Sequence, residues 1–257
     1  YKKERATVHL KELVGGALSF YAAAAVAKTG GVHIFVAEDR DAAAYLLNDF
    51  YNLLDEKQVY FFPSSYKRSA AYGAEDAQGV VQRTTAMNAV RGFTKGYLVV
   101  CTYPEALAER VVDAATLQRD TIAVKLGDKI SIAVLEDALA DANFTRVDFV
   151  YEPGQYSVRG GIVDVFSYSE SKPYRIDFFG DEVDSIRRFN ISSQLSADKL
   201  DRVEIVPNLN AGEAPRVSFV QFAGSSATCW FYDADYVLRR VNDLRRKVLA
   251  DMEEPGQ

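Results

Sequence analysis

The chain has 257 residues, of which 48% are hydrophobic and 26% are charged. This length and composition are those of a globular protein with enough apolar residues for two cores, and they exclude a disordered or fibrous chain. The formal net charge of −6 argues against a broad nucleic-acid-binding surface, because such surfaces need clustered lysine and arginine side chains.

Helix-like and strand-like patterns alternate from residue 17 to about residue 110. The pattern predicts helices at 17–28, 40–54, 76–91 and 104–111, and strands at 32–37, 58–62 and 97–101. Short apolar runs separated by amphipathic stretches are typical of crossover connections on a parallel sheet. We therefore predict an α/β domain over residues 1–116.

The first predicted helix runs directly into the strand-like sequence VHIFVA, which favours a buried helix over a secretory signal. No run in the sequence reaches the ~20 apolar residues of a membrane-spanning helix. The two cysteines, Cys101 and Cys229, each lie in an apolar run and are predicted to be buried thiols rather than a disulfide or a metal pair. Free thiols indicate a reducing compartment, the cytoplasm.

After residue 117 the sequence changes to period-two alternation, which is typical of antiparallel strands. The predicted strands are TIAVKL, RVDFVY, QYSVRGGIVDVF, YRIDFF and EVDSIRRF, with one helix at about 132–142. These elements predict a mostly antiparallel α+β domain over residues 117–206. Residues 207–257 add the strand candidates RVSFVQF and ATCWFYD and a helix near 234–251, which resume the earlier pattern. We therefore expect the second domain to be inserted into the first.

The start of the first helix has the frame of a P-loop without its lysine. A P-loop holds phosphates with backbone N–H groups and one lysine, and its Ser or Thr hydroxyl binds Mg²⁺. Here Gly15, Gly16 and Ser19 are present, but apolar residues stand where Lys-Thr would follow the second glycine, and neither Lys11 nor Lys28 can replace the charge. We interpret the segment as a degenerate nucleotide site that binds no cofactor, with the glycines as a helix entry.

Other catalytic patterns are absent from the sequence. His9 and His33 have no cysteine or carboxylate at metal-ligand spacing, and no nucleophile-elbow or HExxH motif occurs. Acidic pairs such as Glu38-Asp39 lie in predicted turns or helix starts, where carboxylates cap free N–H groups. We therefore predict no catalytic residue and no metal site.

One face of the second domain combines arginine with an exposed aromatic residue. Alternation along YRIDFF places Arg175, Asp177 and Phe179 opposite the apolar face. Arg159, in YSVRGG, precedes a glycine pair that we expect to bend or bulge the strand. Arginine beside phenylalanine on a sheet is typical of a protein-binding hot spot.

The residues alone leave an alternative to this binding face open. The two arginines could pair with Asp177 or Asp164, and Phe179 could fold under the turn that follows it. Pattern does not separate this structural role from a binding role.

The motifs EPGQYSVRGGIVDVF and PYRIDFFGDEVDSIRRF, with the lysine-free P-loop unit, resemble the N-terminal, UvrB-like region of bacterial transcription-repair coupling factors (the Mfd family). The resemblance spans nearly the whole chain. It implies a RecA-like, helicase-type parallel-sheet domain without a Walker A lysine (UvrB domain 1a-like), an inserted UvrB domain 2-like domain, and the start of a domain 1b-like segment. The missing lysine favours the coupling factors over UvrB, which keeps a functional ATP site.

The resemblance also implies a function and partners. The family's UvrA-binding residues fall on Arg159, Arg175 and Phe179, which implies a non-enzymatic module that recruits UvrA to stalled RNA polymerase in transcription-coupled nucleotide excision repair. The chain resembles an excised fragment whose face is open. The full-length parent would be an ATP-dependent DNA translocase that also contacts RNA polymerase, DNA and its own C-terminal domain. The alternatives are a UvrB-type ATP-dependent repair helicase fragment and DNA binding without ATP.

Overall fold

A computed structural model describes residues 7–66, 76–210 and 214–253. The helices of these ranges are α1 (Ala17–Thr29), α2 (Arg40–Leu53), α3 (Ala77–Gly92), α4 (Pro104–Ala108), α5 (Ala114–Asp120), α6 (Ile132–Asp141), α7 (Phe219–Ala223) and α8 (Ala234–Glu253). The strands are β1 (Gly31–Val36), β2 (Val59–Phe61), β3 (Tyr97–Thr102), β4 (Val111–Val112), β5 (Ile122–Lys125), β6 (Thr145–Arg146), β7 (Gln155–Arg159), β8 (Ile162–Val165), β9 (Tyr174–Phe179), β10 (Glu182–Phe189), β11 (Ser196–Lys199), β12 (Arg202–Ile205), β13 (Arg216–Val217) and β14 (Thr228–Phe231). Among the described residues, none of the helices has the length and apolar character needed to cross a bilayer.

The first sheet is parallel throughout, in the order β14-β1-β3-β2. Its central strands, β1 and β3, are buried along nearly their whole length without alternation, as expected for a parallel sheet. The predicted parallel α/β sheet is therefore confirmed. Strand β14 follows the antiparallel sheet in sequence, yet it pairs with β1 from His33↔Thr228 to Val36↔Phe231.

Residues from both sides of the antiparallel sheet in sequence share the core of the parallel sheet. The buried ring of Phe62, just after β2, stacks on Phe219 of α7 with 3.9 Å between ring centroids. Val206 and Val237 are buried in the same cluster. The core of the parallel sheet is therefore built from residues that precede and follow the antiparallel sheet in sequence.

Two helix entries follow the sequence prediction. Gly15 has φ +57° and Gly16 is the N-cap of α1, so the glycine pair makes the turn into the helix. The side chain of Asp39 accepts a hydrogen bond of 2.9 Å from the backbone N–H of Ala42 and caps α2.

The second sheet has the order β11-β10-β9-β8-β7-β6 and is antiparallel except for the β6-β7 pair. Its inner face packs on α6 through Leu135 and Leu139, which are buried with Val163, Ile176 and Ile186. Strands β5 and β12 form a separate antiparallel pair. Side chains on the other face alternate with these core residues, as expected for a sheet with only one covered face.

Three predicted strands have a different form in the structure. QYSVRGGIVDVF is a hairpin rather than one bent strand, because Gly160 (φ +59°) and Gly161 form a turn that pairs β7 with β8. Only Arg146 of RVDFVY is in a strand, the two-residue β6, because the backbone oxygen of Asp148 accepts bonds from side chains of β7 instead of ladder N–H groups. RVSFVQF stops after two strand residues because Ser218 caps α7 by accepting from the N–H of Gln221.

The other differences between the predicted and observed elements concern short helices and strands. The predicted helix at 104–111 ends at Ala108, since β4 then pairs with β13. The patterns did not predict α5, β11 or β12. Cys101 is buried and Cys229 is half-buried, and both are free thiols.

A buried histidine joins β1 to β14. The side chain of His33 is 1% exposed, and its Nδ1 lies 3.0 Å from the indole Nε1 of Trp230. Because an indole N–H can only donate, Nδ1 accepts and the imidazole proton is on Nε2, which donates to the backbone oxygen of Gly30 over 2.9 Å. Burial lowers the pKa of His33, so the folded protein holds the neutral ring.

We expect acid to destabilise this connection. Because the folded-state pKa of His33 is below its unfolded value of about 6.5, the unfolded chain binds more protons and the free energy of unfolding falls as pH drops below about 6.5. Urea unfolding at about pH 7.5 and about pH 5.5 measures this change through the fluorescence of Trp230, the one tryptophan in the sequence. His33→Gln should reduce the pH dependence, whereas the same change at the exposed His9 should preserve it. Equal effects of both variants would contradict the assignment.

Candidate functional site: the outer face of the antiparallel sheet

Strand register brings five polar side chains into one row across the outer face. The paired positions are Ser157↔Asp164↔Arg175↔Arg187↔Lys199, from β7 to β11. Residues in register across neighbouring strands point to the same face, with Cβ atoms about 5 Å apart. Arg175 is beside Asp164 in this row, and Arg159, two residues after Ser157 on β7, reaches the same carboxylate.

The carboxylate of Asp164 holds both arginines. Its side chain is 2% exposed. Arg175 donates from Nε to Oδ1 over 2.7 Å and from Nη2 to Oδ2 over 2.8 Å, while Arg159 donates from Nη2 to Oδ2 over 2.5 Å. The first pair is bidentate, which fixes the plane of the guanidinium. The hydrogen bonds to Asp164 raise the pKa of Arg175.

Each guanidinium also lies over an aromatic ring. Arg175 is 4.3 Å from the ring centroid of Phe189, and Arg159 is 4.8 Å from that of Phe149. Arg175 donates further to the side-chain oxygen of Gln194 over 3.1 Å. The side chain of Arg175 is 14% exposed and that of Arg159 is 37% exposed, so Arg159 is the more accessible cation.

The second carboxylate of the face, Asp177 on β9, is paired with side chains of β10. Asp177 accepts hydrogen bonds from Ser185 and from Arg187, the latter over 2.5 Å. The face thus carries four cations, Arg159, Arg175, Arg187 and Lys199, against three carboxylates, Asp164, Asp177 and Glu182. This positive excess contrasts with the net charge of −6 for the whole chain.

The ring of Phe179 projects into solvent at the end of β9. Phe179 is 83% exposed and pairs in register with Glu182 across the turn at Gly180. The expectation that this ring could fold under the turn is wrong. The alternative in which Arg159 and Arg175 pair with Asp164 is confirmed. Asp177 pairs with Arg187 and with neither of these two arginines.

Two residues of this face were missed in the sequence. Phe149 lies in RVDFVY, whose alternation predicts a regular strand, and that prediction does not place its ring beside Arg159 of β7. Arg187 could have been found from the hairpin register that places it opposite Arg175.

The P-loop-like residues lie apart from this face, at the start of α1 beside the parallel sheet. The hydroxyl of Ser19 is committed to Asp49, to which it donates over 2.5 Å. Residues 7–14, which precede the glycine pair, form no strand. The described residues contain no group of three or more His, Cys, Asp or Glu side chains that could hold a metal ion.

Comparison with known families bears on the same stretch of chain. The family model for the UvrB interaction domain matches residues 122–210. The resemblance seen in the sequence is confirmed. The matched UvrB interaction domain region contains every strand from β5 to β12, and therefore the whole outer face.

Curated relatives extend this similarity. The chain is 27% identical over 199 residues to the transcription-repair-coupling factor of Bacillus subtilis and, over the same length, to that of Escherichia coli. It is 35% identical over 101 residues to that of Haemophilus influenzae. The alignments cover 77%, 77% and 39% of this chain. They cover 17%, 17% and 9% of the relatives, so the chain spans less than a fifth of their length.

We expect Asp164 to stabilise the fold as well as the face. Asp164→Asn keeps the shape but leaves two guanidinium groups without a charge partner, which should lower the free energy of unfolding by about 1–3 kcal/mol. Urea unfolding checks this. Asp148→Asn is the matched control, because Asp148 is exposed and contributes its backbone oxygen to these bonds, and it should change stability by less than about 0.5 kcal/mol. An equal loss of unfolding free energy in both variants would contradict a stabilising role for the ion pairs of Asp164.

Proposed function

We propose that this chain is the UvrA-recruiting region of a transcription-repair coupling factor, a UvrB-mimicking docking module without an ATPase activity of its own. The observation that carries the proposal is the match of residues 122–210 to the UvrB interaction domain, because that segment contains Arg159, Arg175 and Phe179 on one open face. In this role the module brings UvrA to stalled RNA polymerase during transcription-coupled nucleotide excision repair in the bacterial cytoplasm.

The charge and shape of the face suit such a partner. The positive excess would steer an acidic surface of UvrA into place, since charge complementarity mainly sets association rates. The exposed ring of Phe179 would be buried on contact and hold the complex, as aromatic anchors do in protein interfaces. Arg159 and Arg175 are held in place by Asp164 before binding, so less conformational entropy is lost when the partner docks.

The parallel sheet would then be a scaffold with a degenerate, RecA-like nucleotide fold. Three features support this proposal: no lysine follows Gly15-Gly16, Ser19 is engaged with Asp49, and residues 7–14 form no strand before the loop. An ordinary P-loop needs the lysine and a free hydroxyl for Mg²⁺. ATP-dependent translocation would belong to the full-length parent.

The proposed organisation has three segments. Residues 1–116 form the UvrB domain 1a-like part, residues 117–206 the inserted UvrA-binding domain, and residues 207–257 the start of a domain 1b-like part. RNA polymerase, DNA and a C-terminal domain that could cover the face are proposed as partners in the parent protein.

Removal of the exposed ring gives the first test of UvrA binding. Phe179→Ala should raise the Kd for purified UvrA by about 10- to 100-fold, mostly through faster dissociation, because the lost contact is short-range and apolar. Arg159→Glu should also slow association, and that slowing should shrink with added salt. Surface-immobilised chain and a concentration series of UvrA measure both rates.

Tyr45→Ala is the matched control for this experiment. Tyr45 is a 77% exposed aromatic residue on α2, beside the parallel sheet, so its loss removes a similar ring from a different surface. Its Kd should equal that of the unchanged chain. Unchanged binding by Phe179→Ala, or equal losses in both variants, would refute the proposed face.

Nucleotide titration separates the proposal from the helicase alternative. Calorimetry with ATP and Mg²⁺ should show no binding heat and no rise in melting temperature, since a ligand that binds only the folded state must stabilise it. UvrA, itself an ATPase, is the positive control. Saturable heat or a melting shift would instead favour a UvrB-type ATP-dependent enzyme.

A further inference from the structure

A second aromatic residue stands at the opposite side of the face from Phe179. Phe149 lies in the loop after β6 and is 50% exposed, and the guanidinium of Arg159 lies 4.8 Å from its ring centroid. It is not part of the buried cluster beneath the sheet. An apolar ring left half in solvent without core contacts is available for burial by a partner.

Strand geometry separates the two rings across the face. Phe179 is on β9, whereas Phe149 lies beyond β7, which is two strands away across β8. With neighbouring strands about 4.8 Å apart, the two rings are about 10 Å or more from each other. They therefore form two contact points with the Asp164 cluster between them.

The arginine above Phe149 retains donors for a partner. Arg159 uses Nη2 for Asp164 and Nη1 for the backbone oxygen of Asp148, at 2.5 and 3.3 Å. A guanidinium has five N–H donors, so several can still reach an incoming carboxylate. Phe149 and Arg159 also line an open concavity of about 390 Å³, together with residues that include Arg146 and Asp148. The concavity can accept one apolar side chain next to that carboxylate.

We propose that Phe149 and Arg159 form a second anchor for the same partner, which contacts them with a carboxylate facing Arg159 and an apolar side chain against Phe149. This proposal rests on the proposed UvrA docking function and deepens it. The positive excess of the face selects the carboxylate, and the concavity beside Phe149 selects its apolar neighbour. Two anchors at a fixed separation set the orientation of the partner as well as its affinity.

Binding of purified UvrA to a set of variants of the full 257-residue chain tests the second anchor. Phe149→Ala should raise the Kd by about 5- to 30-fold, as expected for truncation of an interface aromatic residue. Tyr151→Ala is the matched control, because Tyr151 is 65% exposed in the same loop, and it should leave the Kd unchanged. Phe149→Gln, which keeps a side chain of similar reach, should lose binding as well, and thermal unfolding verifies that each variant is folded.

A double-mutant cycle tests whether Phe149 and Arg159 contribute to binding together or independently. If the pair acts together, Phe149→Ala should have a smaller effect on Kd in an Arg159→Ala background than in the unchanged chain. Additive effects would show that Phe149 and Arg159 bind separately and would overturn the paired anchor. A Kd for Phe149→Ala within about twofold of the unchanged chain, with Phe179→Ala still impaired, would overturn the second anchor but preserve the docking function. No binding by the unchanged chain would overturn both.

Discussion

The arrangement of the outer face depends on one buried carboxylate. Asp164 receives three hydrogen bonds from two arginines on the strands to either side of β8. A buried charge is tolerated only when it is paired, and here both neighbouring strands supply a cation that pairs with it. The same bonds hold the arginines over Phe149 and Phe189 and determine which of their N–H groups face solvent. The pairing of a buried charge within the fold therefore orders the two arginines in the absence of a partner.

This dual role changes how loss-of-binding variants at the face should be interpreted. A change at Arg175 removes a contact and also disturbs Asp164, because most of the Arg175 side chain is inaccessible to solvent. A change at Phe179 removes only exposed apolar surface. Effects at Phe179 can thus be assigned to recognition directly, whereas effects at Arg175 combine recognition with folding.

Sequence patterns predicted both kinds of sheet, because every strand of a sheet carries the sequence pattern that its burial requires. Strands of the parallel sheet are continuously apolar, whereas most strands of the antiparallel sheet alternate. Strands β9 and β10 have the predicted limits, although a register shift between Val183 and Ser185 interrupts the alternation of β10. The prediction of a strand around Phe149 was wrong, because RVDFVY alternates like a strand. Its ladder ends where the side chains of Ser157 and Arg159 donate to the backbone oxygen of Asp148, and periodicity does not predict those bonds. Periodicity does not predict the Arg159–Asp164–Arg175 cluster, since an arginine that pairs and an arginine that binds have the same pattern. Hairpin register places Asp164 between the strands that carry the two arginines.

The pairing of β5 with β12 brings together the two ends of the segment that carries the outer face. Ile122 and Ile205 are directly opposite each other in this pair, so the segment that carries the face begins and ends at neighbouring points, with Cα atoms about 5 Å apart. A segment with such ends can be spliced into a surface loop of an unrelated host without stretching that host's backbone. Residues 122–205 are thus one continuous segment with adjacent ends, which is the geometry that insertion into a host loop requires.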